Sequence, residues 1–218
     1  MGSCRRWSFT RSCVLVVMLV VAAQGFTAHA EDPGFESLFD GKTFAGWGGD
    51  FDATWRIEDG DIVAGSPDSA APQNEFLATV RDYGDFVLEA TEGANAGVQF
   101  RSVRIPNHHE VSGYQADIGP GYFGALYDES RRNKLLAVPA ERMVAAALAG
   151  GIDGWHSYRI RAEGKRIRLE LNGVETVDWI EPDDAIAKTG MIALQIHGGL
   201  VGTIRYRNLR IKPLAAAK

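Results

Sequence analysis

The sequence predicts an all-β fold, a two-sheet antiparallel jelly-roll sandwich. Three observations carry this reading. Short alternating apolar and polar segments recur after residue 31, tight-turn dipeptides separate them, and stretches of helical period are scarce.

Taken in order, Trp55-Arg56-Ile57-Glu58 leads into Asp59-Gly60-Asp61 and on to Ile62-Val63-Ala64. Asp-Gly between alternating runs is a strong hairpin signal, because both turn positions need positive φ. Residues 85–90 form a further strand and residues 97–103 another. Residues 158–162 turn at Glu163-Gly164-Lys165 into residues 167–171, and Asn172-Gly173 turns that strand into residues 174–177. Residues 190–196 and 202–211 close the set. Two stretches break the rhythm. Residues 141–148 read as a short helix or a loop insertion, and residues 183–188 as a single helical turn.

The start of the chain is different. Arg5, Arg6 and Arg11 precede an apolar run from Val14 to Ala23, and Ala28-His29-Ala30 offers small residues two apart. A basic start, a short apolar middle and an A-x-A end describe a secretory signal peptide over residues 1–30, cut near Ala30. The run is shorter than the ~18–20 residues that span a bilayer. The expected mature domain is therefore 31–218, exported to the periplasm or the cell exterior, with no membrane insertion of its own.

Cleavage removes both cysteines, Cys4 and Cys13, and with them any disulfide. Loss of Arg5, Arg6 and Arg11 takes the formal net charge from −5 to −8. An acidic surface without a basic cluster argues against nucleic acid and anionic membranes as partners. Nothing in the sequence specifies an oligomeric state.

Period-two alternation sorts strand side chains into faces. In Val98-Gln99-Phe100-Arg101 it turns Gln99 and Arg101 away from the core. In Tyr114-Gln115-Ala116-Asp117-Ile118 it does the same for Gln115 and Asp117. In Ile192-Ala193-Leu194-Gln195-Ile196-His197 it pairs Gln195 with His197. Three strands thus each present long, planar hydrogen-bonding groups, with Gly97, Gly113, Gly198 and Gly199 leaving room beside them. Such groups suit sugar hydroxyls, and Tyr114, Tyr122 and Tyr127 offer stacking surfaces at the rim. Polar alternation is also what any solvated sheet face shows, as Arg166, Arg168 and Glu170 illustrate. His108-His109-Glu110 is a weak metal motif, since adjacent strand residues point opposite ways. Asp128-Glu129 beside Arg131-Arg132 reads as a charged loop.

The motifs, taken together and in order, resemble the 3-keto-disaccharide hydrolase family. They are Phe35-Glu36-Ser37-Leu38-Phe39-Asp40-Gly41 through Gly46-Trp47, Asn95-Ala96-Gly97-Val98-Gln99-Phe100-Arg101, Gly113-Tyr114-Gln115-Ala116-Asp117-Ile118, Gly124-Ala125-Leu126-Tyr127-Asp128 and Ile192-Ala193-Leu194-Gln195-Ile196-His197. The resemblance covers about residues 35 to 213. It implies a concanavalin A-like jelly roll that cleaves 3-keto glycosides, with the face bearing Arg101, Gln115, Asp117, Gln195 and His197 as its sugar site. Two features depart from the family: Ala96 where a serine is common, and a longer stretch around residues 140–151.

A ketone at C3 acidifies the C2 hydrogen, and the glycosidic oxygen on C1 is then a β leaving group. Cleavage needs a base, a partner for the enolate oxygen and a proton donor. The expected base is Asp117 or His197, with Arg101 on the enolate. Asn95, Gln115, Gln195 and Tyr127 position the sugar, and Glu75 is an acid or a metal ligand. A divalent metal ion sharing the enolate role is an open expectation. The expected partner is an oxidised oligosaccharide or glycoside. The rival readings are a two-carboxylate glycosidase and a non-catalytic, lectin-like carbohydrate-binding module.

Overall fold

A computed structural model of the protein describes residues 33–215 except 50, 52, 94, 95 and 153. The expected signal segment, Cys4, Cys13 and the candidate Asn95 lie outside the described residues. In chain order the strands are β1 (Glu36–Ser37), β2 (Trp47–Gly48), β3 (Trp55–Glu58), β4 (Asp61–Ser66), β5 (Glu75–Thr79), β6 (Phe86–Gly93), β7 (Ala96–Arg104) and β8 (Val111–Ile118). There follow β9 (Leu126–Glu129), β10 (Lys134–Ala137), the helix α1 (Glu141–Ala147), β11 (Trp155–Glu163), β12 (Arg166–Leu171), β13 (Val174–Ile180), β14 (Met191–Ile196) and β15 (Gly202–Pro213).

The turn residues act as their chemistry demands. Asp59 and Gly60 hold φ of 54° and 84° between β3 and β4, and Asn172 and Gly173 hold 51° and 79° between β12 and β13. These left-handed pairs match the twist of the flanking strands and fix each hairpin's register. The ambiguous stretch at residue 141 is the helix α1. Residues 183–188 form a turn rather than a helix, because the Asp183 carboxylate accepts the Ala185 N–H at 2.9 Å and satisfies the backbone locally.

All ladders are antiparallel and build two sheets. One runs β13-β12-β11-β6-β15-β4-β3 with β1 beside β15, the other β10-β9-β8-β7-β14-β5-β2. Between them lies the main core. Trp55, Leu88, Ile160, Leu169 and Tyr206 enter it from the first sheet, and Val98, Phe100, Ile118, Leu194 and Ile196 from the second. This is the sandwich that the alternation predicts.

Two buried phenols tie the first sheet to the second where it matters for function. The Tyr158 hydroxyl donates to the Asp117 carbonyl at 2.7 Å, and the Tyr206 hydroxyl to the Gln195 carbonyl at 2.6 Å. Inside an apolar core such bonds are costly to break, so they hold the backbone at Asp117 and Gln195 in place.

Candidate active site

The outer face of the second sheet carries the chemistry. In β8, Tyr114, Ala116 and Ile118 enter the core, so Gln115 and Asp117 face outward. Register places Gly97 opposite Asp117 and Gln99 opposite Gln115. Leu194 pairs with Val98, which sets Gln195 beside Gly97, and Gln195 pairs in turn with Phe76 on β5. On β9, Tyr127 lies opposite Gln115 and Glu129 opposite Gly113.

Two missing side chains make the arrangement fit. A Cβ on Gly97 would stand 2.7 Å from the Gln115 side chain, and one on Gly113 2.1 Å from the Ser102 hydroxyl. In that space a line of polar groups forms. Ser102 donates to the Gln99 side-chain Oε1 at 3.3 Å, Gln99 donates to Gln115, and Gln115 hydrogen-bonds the Asp117 carboxylate. Gln99, Gln115 and Gln195 are all buried. Buried amides fixed in one geometry are preorganised hydrogen-bonding groups rather than a solvated surface.

Beyond the bulge in β7, the β7–β8 hairpin bends over the same face. Arg104 Nη2 donates to the carbonyls of Gly48 at 2.9 Å and Phe76 at 2.8 Å. Asn74 donates to Glu110 at 2.9 Å, and His109 Nδ1 donates to the Asn74 carbonyl at 3.1 Å. Phe76, Ala78, Val111, Met191 and Ala193 form a small second apolar cluster beneath this flap.

Burial raises the Asp117 carboxyl to about 7, with the Glu129 charge adding to it and the Gln115 hydrogen bond opposing it. Burial likewise raises Glu129 to about 7, helped by Glu110. Tyr127 is shifted upward by burial and then by Glu129, and so keeps its phenolic proton. Both carboxyls are thus poised to change protonation state near neutrality. One can take a proton and the other give one.

Arg101 is not on this face. It sits at φ 48° in the bulge between Phe100 and Val103. The bulge shifts the alternation by one, so Ser102 takes the outward position. The Arg101 guanidinium instead bonds Asp85 at 2.7 Å and the carbonyls of Gly164 at 2.8 Å and Gly84 at 3.2 Å. Its burial corrects the expected enolate role, because the charge is already spent on Asp85. His197 follows the last residue of β14 and is exposed, with Nδ1 against the Gly198 carbonyl at 2.7 Å. Glu75 pairs with Ile196 at the start of β5, one residue before Phe76, and it accepts from Gln73 at 2.8 Å.

Tyr114 is a core residue rather than a rim platform. Its hydroxyl donates to Glu181 at 2.5 Å. Asp128, read from sequence as part of a charged loop, is fully buried and ion-paired to Arg131 and Arg132, and Arg132 also holds Glu181. Two further carboxyls belong to this face, Glu129, which the sequence places in a charged loop, and Glu110, which it places in a weak metal motif. Alternation from Tyr127 could have found Glu129. Glu110 reaches the face only because the flap folds over. Among the described residues no three His, Cys, Asp or Glu side chains are set to hold a metal ion. Among the described residues the donor set does not fit the divalent ion left as an open expectation.

With that geometry in place, the comparisons decide the family. A sequence model of the 3-keto-alpha-glucoside-1,2-lyase-like domain matches residues 34–212. The chain belongs to this family. The 3-keto-alpha-glucoside-1,2-lyase-like domain takes in both sheets, and membership marks the protein as carbohydrate-active and glycosyl hydrolase-like. No curated protein matches the chain. Among solved structures, a candidate glycosyl hydrolase from Parabacteroides distasonis ATCC 8503 is 21% identical at a TM-score of 0.62, over 84% of this chain and 94% of that one. The carbohydrate-binding module CBM66 from Bacillus subtilis is 16% identical at 0.58, over 77% and 95%. A Bacillus licheniformis β-glucanase is 6% identical at 0.52, over 83% and 97%. At these identities they show the jelly-roll fold that the 3-keto-alpha-glucoside-1,2-lyase-like domain shares.

Proposed function

We propose that the protein cleaves the glycosidic bond of 3-keto glycosides by elimination, with Asp117 as the base. The observation that carries this is the Asp117 carboxyl, raised to about 7 and oriented by Gln115 on the outer face of a domain of this family. A base poised near neutrality takes the C2 proton without being protonated itself.

The ionised Asp117 removes the proton from C2, and the C–H electrons delocalise onto the C3 oxygen as an enolate. Tyr127, kept protonated, and the side-chain amide of Gln195 supply the hydrogen-bond donors that the lost Arg101 role would have supplied. The enolate collapses to a C1–C2 double bond, breaking the C1–O bond, and protonated Glu129 gives its proton to the departing oxygen. The products are a 3-keto-glycal and a free alcohol. Water adds across the double bond in a second step. Export through the 1–30 segment belongs to the same proposal, and mass spectrometry of the secreted protein starting at Glu31 tests it.

The experiment sets a 3-keto disaccharide beside its unoxidised parent and looks for free monosaccharide. Release from the oxidised sugar alone is the expected result. Equal release from both would make this a direct glycosidase, and binding without release a carbohydrate-binding module.

A further inference from the structure

Under the flap on the same sheet face, apart from Asp117, one cavity joins a cation to a neutral donor and an apolar floor. It measures about 520 Å3, within the roughly 300–1,000 Å3 usual for small-molecule sites. Arg104, His108 and His109 line it from the flap, and Phe76, Ala78 and Met191 from the sheet. Asp117, Gln115, Tyr127 and Glu129 do not.

Arg104 uses Nη2 on two carbonyls, and among the described residues no carboxylate lies within ion-pair distance of it. Glu75, whose charge acts on Arg104, also lines the cavity and already accepts from Gln73. Nε and Nη1 of Arg104 are left to donate. His108 Nδ1 accepts the Glu110 backbone N–H at 3.1 Å, so the neutral ring carries its proton on Nε2. His109 Nδ1 donates to Asn74 and is used. The remaining Arg104 N–H groups and the His108 Nε2–H both belong to this cavity's lining, and single charge-assisted hydrogen bonds from such donors suit a carboxylate. The chain's formal net charge of −5 repels anions in general, so an anion held here is held by local geometry.

We propose that this cavity is a subsite for a carboxylated sugar, a uronic-acid ring. Arg104 and His108 take its carboxylate, and the ring rests on Phe76, Ala78 and Met191. The inference rests on the carbohydrate-active reading of the domain and on no step of the elimination.

The test titrates D-glucuronate, D-glucose and inorganic sulfate into the folded protein, by calorimetry and by the Met191 methyl resonance. Glucuronate should shift that methyl and bind at least tenfold tighter than either of the others. Arg104→Gln should weaken glucuronate tenfold or more. Arg104 also anchors the flap, so His108→Ala serves as the second variant; it should weaken binding several-fold with the melting temperature unchanged. Glucose binding as tightly as glucuronate would overturn the proposal. So would sulfate matching glucuronate, or both variants binding as wild type does. Because the readout is binding, failure here is distinguishable from failure to cleave a 3-keto disaccharide.

Discussion

The Gln115 side chain lies against the bare backbone of Gly97, so close that a Cβ at residue 97 would come within 2.7 Å of it. Gly97→Ala should push Gln115 off Asp117. Overpacking of this kind costs about 1–3 kcal/mol of stability, which thermal melting measures. Turnover of a 3-keto disaccharide should fall further than the folded fraction does, because the base loses its orienting amide.

Two carboxyls raised to about 7, one needed ionised and one protonated, give a bell-shaped rate profile centred near pH 7. Asp117→Asn should cost roughly 10²–10⁴-fold in kcat. Glu129→Gln should lower kcat and move the acidic limb to lower pH, since the Glu129 charge is one of the influences that raise Asp117. Rate against pH for the three proteins checks all of this.

The same shift makes Asp117 a cost to stability. Its folded value of about 7 lies above the 3.8 of an aspartate free in water, so the folded state binds more protons between those limits and stability falls as pH rises through them. Above pH 7 the whole penalty is present. Asp117→Asn should therefore raise the melting temperature by several degrees at pH 8. That gain should shrink to nothing by pH 4.

Much of this was legible in the sequence, for physical reasons. Asp59-Gly60 and Asn172-Gly173 announce left-handed turns, and apolar alternation states which strand faces are buried. Within β8, alternation also separates Gln115 and Asp117 from Tyr114. It fails at Arg101, because a non-glycine residue at positive φ leaves no mark in local composition. It stops being useful at His197, where the strand has ended at Ile196. Glu110 depends on a hairpin folding across a sheet, a tertiary event with no local pattern. Asp128 and Glu129 look alike in sequence, yet one neutralises Arg131 and Arg132 in the interior and the other faces the groove.

The corrected place of Arg101 makes its own prediction. Arg101→Met leaves Asp85 as an uncompensated, largely buried charge, a loss on the order of 3–5 kcal/mol. Denaturant unfolding should show it, with partial recovery in the double variant Arg101→Met, Asp85→Leu. Activity per folded molecule should stay near wild type in both.

The most direct test of proton abstraction by Asp117 compares release of the alcohol from a 3-keto disaccharide carrying hydrogen or deuterium at C2, for wild type and Asp117→Asn. The account predicts a primary isotope effect of several-fold on wild-type kcat/KM, and a rate at least about a hundredfold lower in the variant. Equal rates for the two isotopologues, with Asp117→Asn cleaving as fast as wild type, would contradict it.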